Sequence, residues 1–322
     1  MRLLDAPRVP VEVVARRRLP GHVVWRLPGG RWTVERGPEL LVVDARLDVL
    51  AAFALGDARD WRGIHAVSPD LAVAVLSLPD RVRAVDRRNR ALWEFPHPPW
   101  GDNSGSAGIA ADGVVWVTAP VLPPPRGAHA PEWWLTLDLG TGRLLGESPT
   151  ATDAAGSEHL IHPDGRRVGL SVGEGQDAAR IFWGEYDGTR ATVRQAAGDD
   201  RVLIDISPDG RHYLTTPHGT NPGIALHDME TDELVARLDG WSLFGDNDFG
   251  FHAGFLDDEL VLACSEEEDH LVLLDARTLA LRAVADLPRG MAAYPPITGG
   301  DGSWLCHDWR TGDHLALRLA DG

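Results

Sequence analysis

The sequence predicts an all-β chain folded as a seven-bladed β-propeller, each blade four antiparallel strands and the last blade closed by an N-terminal strand. Three observations point there. A turn signature returns at near-constant spacing, apolar alternating runs end in aspartate between those turns, and the two ends of the chain complement one another. Residues 1–322 read as a single propeller domain, with residues 11–19 as the closing strand.

The turn signature is clearest at HPDG (162–165) and SPDG (207–210), with related turns at LPGG (27–30), SPDL (68–71), AADG (110–113), LDDE (256–259) and GGDG (299–302). Their second positions are Pro28, Pro69, Ala111, Pro163, Pro208, Asp257 and Gly300. The intervals between them are 41, 42, 52, 45, 49 and 43 residues, the size of one four-stranded propeller blade. Proline presets φ at the first corner, aspartate bonds the nearby backbone, and glycine accepts positive φ. Asp209 is therefore expected to fix a turn rather than to serve as a catalytic carboxylate or metal ligand.

Within each repeat an apolar strand ends in aspartate just before a second turn. Examples are LLVVDARLD, RVRAVDRRN, WLTLDLGTG, IALHDMETD and LVLLDARTL, which place Asp44, Asp86, Asp138, Asp228 and Asp275; GEYDGTR adds Asp187. Another alternating run follows each. Period-two alternation broken by turn residues is the strand signal. The fifth repeat parses as RVLIDI, HYLTTP, GIALHD and ELVARL. A two-sheet sandwich fits less well, because sandwiches lack so regular an internal period. At the far end MAAYPPI, SWLCHDW and HLALRL leave the last blade one strand short, while VEVVARRRL (11–19) stands in surplus before the first blade. Pairing that surplus strand onto the last blade removes a free edge.

Hydrophobic content of 43% and charged content of 25% are those of a globular chain with a real core. No apolar run approaches the roughly 20 residues that span a bilayer. Asp5, Arg8 and the arginines at 16–18 rule the N-terminus out as a signal peptide, so the expected compartment is the cytoplasm. A net charge of −17 argues against general nucleic-acid binding, with ARRRL and DRRNR the two short basic stretches. Cys264 and Cys306 fall in predicted strands without CxxC or CxxH company and are expected as reduced core thiols.

The repeated SPDG-type turns and their spacing resemble those of the WD40-like and YVTN-like β-propellers, especially bacterial ones, over nearly the whole chain. The Gly-His and Trp-Asp pairs of the eukaryotic WD40 pattern are missing. Such propellers include protein-binding scaffolds, ligand binders and enzymes, so the resemblance implies the fold and leaves the activity open.

Three motif lookalikes lose to simpler readings. Gly173, Gly175 and Ala178 have GxGxxA spacing, but a strand (ARIFWGEY) follows where a dinucleotide site needs a helix. GDNSGS (101–106) interposes Asn103 in a protease-like loop without a matching His or Asp motif. GDNDFG (245–250) lacks the Gly at position six and the Glu at twelve of a calcium loop. His65 and His159 each stand four residues before a turn proline on an innermost strand. His252 is one place out of register on another, which turns it to the opposite face. These three are the weak metal candidates. Packed or polar channel histidines are the simpler expectation, and no cofactor is expected.

Inter-blade loops and the loops joining second to third strands emerge on one propeller face, opposite the PDG turns. That face is expected to hold PHPPWGDNSG (96–105), PVLPPPRGAHAPEWW (120–134), SPTATDAAGSE (148–158), GEGQDAAR (173–180), PHGTNPG (217–223), GWSLFGDNDFG (240–250) and SEEEDH (265–270). Two of these loops share an aromatic–Gly–Asp–Asn sequence, Trp100 to Asn103 and Phe244 to Asn247, in which glycine lets the chain turn and present aromatic and carboxylate outward. The candidate binding residues are Trp100, Asp102, Asn103, Glu174, Gln176, Asp177, Trp241, Phe244, Asp246 and Asn247. Aromatics among carboxylates suit a cationic protein or peptide better than a phosphate. The expected function is that of a non-catalytic, monomeric cytoplasmic scaffold binding a protein or peptide, with neither nucleic acid nor membrane as partner. The alternative is an enzyme or small-ligand or metal binder at the channel mouth, using His65, His159, His252 and Glu174.

Overall fold

A computed structural model describes residues 3–19, 24–36, 38–56, 63–100, 104–121, 130–154, 156–175, 178–198, 200–218, 223–245, 249–265, 270–289, 291, 294–308 and 310–320. Strands dominate, and their order follows the repeat. Blade one is Val24–Leu27, Arg31–Arg36, Glu39–Asp44 and Val49–Ala54; blade two is Ala66–Val67, Val73–Ser77, Arg81–Asp86 and Ala91–Pro96. Blade three is Ala107–Ile109, Val114–Pro120, Ala130–Asp138 and Leu144–Ala154; blade four is Gly156–Ile161, Val168–Gly173, Ala179–Tyr186 and Ala191–Gln195. Blade five is Arg201–Ile206, His212–Pro217, Ile224–Asp228 and Leu234–Leu238, and blade six is Phe249–Phe255, Leu260–Ser265, Leu271–Asp275 and Leu281–Asp286. Blade seven has Tyr294–Thr298, Ser303–Asp308 and Asp313–Leu319, with the N-terminal strand Arg8–Arg17 as its fourth.

That N-terminal strand starts earlier than the expected residues 11–19 and does two jobs. Val11 to Arg17 pair antiparallel with His314 to Leu319, completing blade seven. Arg8 to Pro10 pair in parallel with Val284 to Asp286, the outer strand of blade six. The switch falls at Pro10, whose ring removes the backbone donor and which strands tolerate only at such margins. Glu12 and Arg318 bond across the new seam, as do Arg8 and Asp286 at 3.0 Å.

The inner turns form as their chemistry requires. The amides of Leu71, Gly165 and Gly210 each bond the carbonyl three residues back at 2.8 Å. Asp209 Oδ1 accepts from Ser207 Oγ at 2.7 Å and from the Arg211 amide at 3.0 Å, so the residue is turn punctuation. In blade two Leu71 occupies the usual glycine position at φ +60°, a conformation disfavoured for a branched side chain, with its side chain buried. The strand-ending aspartates work the same way. Asp275 Oδ1 accepts from the Arg277 and Thr278 amides and from Thr278 Oγ1. Asp187 is wired alike, and those donors hold its carboxyl down at about 2.

Contacts divide the chain into two compact units, Met1–Arg36 with Leu41–Leu50 and Ile204–Gly322, and Gly37–Leu40 with Ala51–Leu203. In the first, one core joins blades six and seven through Leu262, Leu273, Trp304 and Leu315, and another joins blades five and six through Leu214, Leu226, Phe255 and Val261. Cys264 and Cys306 are buried, unbridged members of the former. In the second unit Trp116 and Trp134 pack with centroids 4.6 Å apart between blades three and four. The alternation seen in sequence thus becomes inward faces stacked blade on blade.

Candidate functional site

The connection between blades five and six, expected as a loop, contains a one-turn helix, Gly240–Phe244. Asp239 caps it by accepting from the Trp241 amide at 3.0 Å, and Gly245, at φ +79°, ends it by donating to the Trp241 carbonyl. The turn points Leu243 into the core of blades five and six. Phe244 is half-buried, edge-on to Phe249 at 4.9 Å and stacked on His270 at 6.3 Å. Trp241 then has nowhere inward to go. It is 57% exposed and is the one aromatic among the exposed large hydrophobic side chains of the described residues.

Trp100 does not match it. The indole is 1% exposed, so the outward presentation expected of this residue is corrected. The cause is Gly105, whose missing side chain leaves room: a Cβ there would sit 2.6 Å from Trp100 Nε1. His97 packs edge-on at 6.3 Å, and the Trp100 amide bonds the Pro79 carbonyl at 2.9 Å. An apolar ring able to fold back into such a space leaves water. Asp102, Asn103, Gln176, Asp177, Asp246 and Asn247 lie outside the described residues.

Glu174 is half-buried and paired within its own hairpin, accepting from Arg180 Nε at 2.9 Å. Its field reaches Glu132, which the sequence places inside the expected 120–134 loop. The third strand of blade three in fact begins at Ala130, and Leu144–Ala154 and Gly156–Ile161 occupy most of the presumed 148–158 loop. Glu132 is fully buried, and burial together with the charge of Glu174 pushes its carboxyl up to about 8. Glu132 shares its alternation phase with Trp134 and Thr136, both buried, but Leu135 and Leu137 on the other face are buried too, so the pattern does not single it out.

Hydrogen bonds tie His159 and His65 into the surrounding strands. His159 Nε2 accepts from Trp134 Nε1 at 2.8 Å, which leaves the proton on Nδ1 facing Ser106 Oγ, also at 2.8 Å. A ring so arranged donates to the serine and does not deprotonate it, and burial holds its pKa down at about 3. His65 Nδ1 accepts from the Ser77 amide at 3.2 Å. His252, half-buried on the inner strand of blade six, belongs to the other unit. Among the described residues no three His, Cys, Asp or Glu side chains gather as metal ligands.

No family model matches the chain, and no curated protein matches it by sequence. Solved structures do. The β-propeller domain of Myceliophteria thermophila Cps50 (Swd1) has a TM-score of 0.63 at 11% identity, with 97% of this chain and 100% of that chain covered. The fold is a WD40-like β-propeller. The Neurospora crassa Pan2 WD40 domain gives 0.59 at 9% identity over 97% and 96%. Kuenenia stuttgartiensis hydrazine synthase gives 0.61 at 16% identity over 94% and 96%. At such identities the likeness concerns the fold alone.

One feature of this propeller lies on the inner strands of the first unit. Asp205, in RVLIDI, is 5% exposed and receives Arg26 Nη1 at 2.6 and 2.7 Å on its two oxygens. The Phe255 amide adds a bond at 2.8 Å and Thr298 Oγ1 one at 3.4 Å. One carboxylate therefore ties blade five to blades one, six and seven. Burial pushes its pKa up while the Arg26 guanidinium and the backbone amides oppose that push.

Proposed function

We propose that this propeller is a non-catalytic, monomeric cytoplasmic scaffold that binds a protein or peptide on its loop face, with Trp241 as the anchor. The exposed indole on its capped helical turn carries the reading, since a rigid aromatic held out in water is what dominates interface energies. Phe244, which ends the helix, stacks on His270, and Asp246 and Asn247 follow just after it in the chain. The net charge of −17 favours a cationic partner and sets the salt dependence of its capture. The enzyme reading needs an activated base or nucleophile, and the Ser106–His159 contact has its proton on the wrong nitrogen for that role. Affinity capture with wild-type protein, repeated with Trp241→Ala, tests the proposal: the partner should be lost from the variant. Equal recovery by the variant overturns Trp241 as the anchor.

A further inference from the structure

Where the third and fourth strands of blade three meet, the ladder breaks between Pro131 and Trp133. Thr150, Ala151 and Thr152 fill the gap as a bulge, with Ala151 at φ +53°. Glu132 lies under it. Its carbonyl accepts from Thr150 Oγ1 at 3.0 Å, the two threonine hydroxyls bond each other at 2.7 Å, and Thr152 Oγ1 reaches Glu132 Oε1 at 3.5 Å. Its other oxygen, Oε2, is buried without a hydrogen-bond partner among the described residues. Pro120, opposite on the second strand, brings no charge. Among the described residues the charge acting on Glu132 comes from blade four, where Glu174 spends part of its field on Arg180. A carboxylate here would be a desolvated anion beside a second anion, with one oxygen unanswered.

We propose that Glu132 is a proton-held latch: its neutral carboxyl keeps the Thr150–Thr152 bulge closed, and its ionisation releases that stretch of the loop face. The proposal is independent of the partner reading, since it concerns the protein alone. The sign follows from the raised folded-state value. The closed form binds the proton more tightly than the open, solvated form, so closure is firm in acid and weakens as pH rises from the ordinary carboxyl range to about 8, then levels off. Between the ordinary 4.5 and about 8 the opening constant should climb nearly tenfold per pH unit, or about 50-fold from pH 6 to pH 8.

Hydrogen exchange of the free protein, corrected for the intrinsic pH dependence of amide exchange, reads this directly in peptides covering 130–154. The wild type should lose protection there by about that factor between pH 6 and 8, while Glu132→Gln, neutral at every pH and of the same shape, should not. Infrared titration of the wild type supplies a measurement that needs no variant: a protonated-carboxyl carbonyl band present at pH 6 should fade with a midpoint near 8. Wild-type protection flat across this range, a Glu132→Gln protein that keeps the transition, or absence of the band would each overturn the latch.

Discussion

Asp205→Asn is the most informative perturbation of the fold. The substitution preserves shape but removes the charge that answers Arg26 and weakens the acceptor used by the Phe255 amide and Thr298. Breaking a buried pair from one side leaves the other charge stranded and costs about 3–5 kcal/mol. Unfolding entropy near 2.1 cal/mol/K per residue makes 1 kcal/mol worth about 1.5 °C in a chain of 322 residues. Thermal melts followed by circular dichroism should therefore fall by about 5–7 °C for Asp205→Asn. Arg26→Met should cost a similar amount, and the double variant Arg26→Met/Asp205→Leu clearly less than the two single losses together, because no orphan charge remains. A melt within 1 °C of wild type for Asp205→Asn, or strict additivity in the cycle, would refute the idea that one carboxylate binds four blades together.

Other outcomes follow from the same strand and side-chain contacts. Deleting residues 1–19 exposes the edge of Asp313–Leu319 and removes the pairing with blade six; broadened unfolding and aggregation in light scattering are expected, and an unchanged melt would count against the closure. The two tryptophans should separate cleanly. Trp100→Ala should destabilise by about 3–5 kcal/mol because it empties a buried site. Trp241→Ala should leave the melt nearly unchanged and weaken partner binding by more than about 1 kcal/mol. Asp209→Asn keeps the Oδ1 acceptor used by Ser207 and Arg211, so urea titration should show a loss below about 1 kcal/mol.

What the sequence determined by itself is local in origin. Turn corners such as SPDG, the strand-ending aspartates and the period-two runs express preferences set within a few residues, so blade number, strand order and the closing strand were all readable. Even there the reach of the closing strand onto blade six was not, because a parallel pairing leaves no turn between its partners. The site was less legible for the same reason. Trp100-Gly-Asp-Asn and Phe244-Gly-Asp-Asn look alike in sequence. One indole is nevertheless buried by a glycine five residues on, while the other loop winds into a capped turn that holds up Trp241 instead. Arg26 and Asp205 meet across 179 residues, and the Glu132 carboxyl is pushed up by burial and by Glu174 on the next blade. Only tertiary structure decides such features, because burial and charge depend on which distant groups arrive and on how much water they displace.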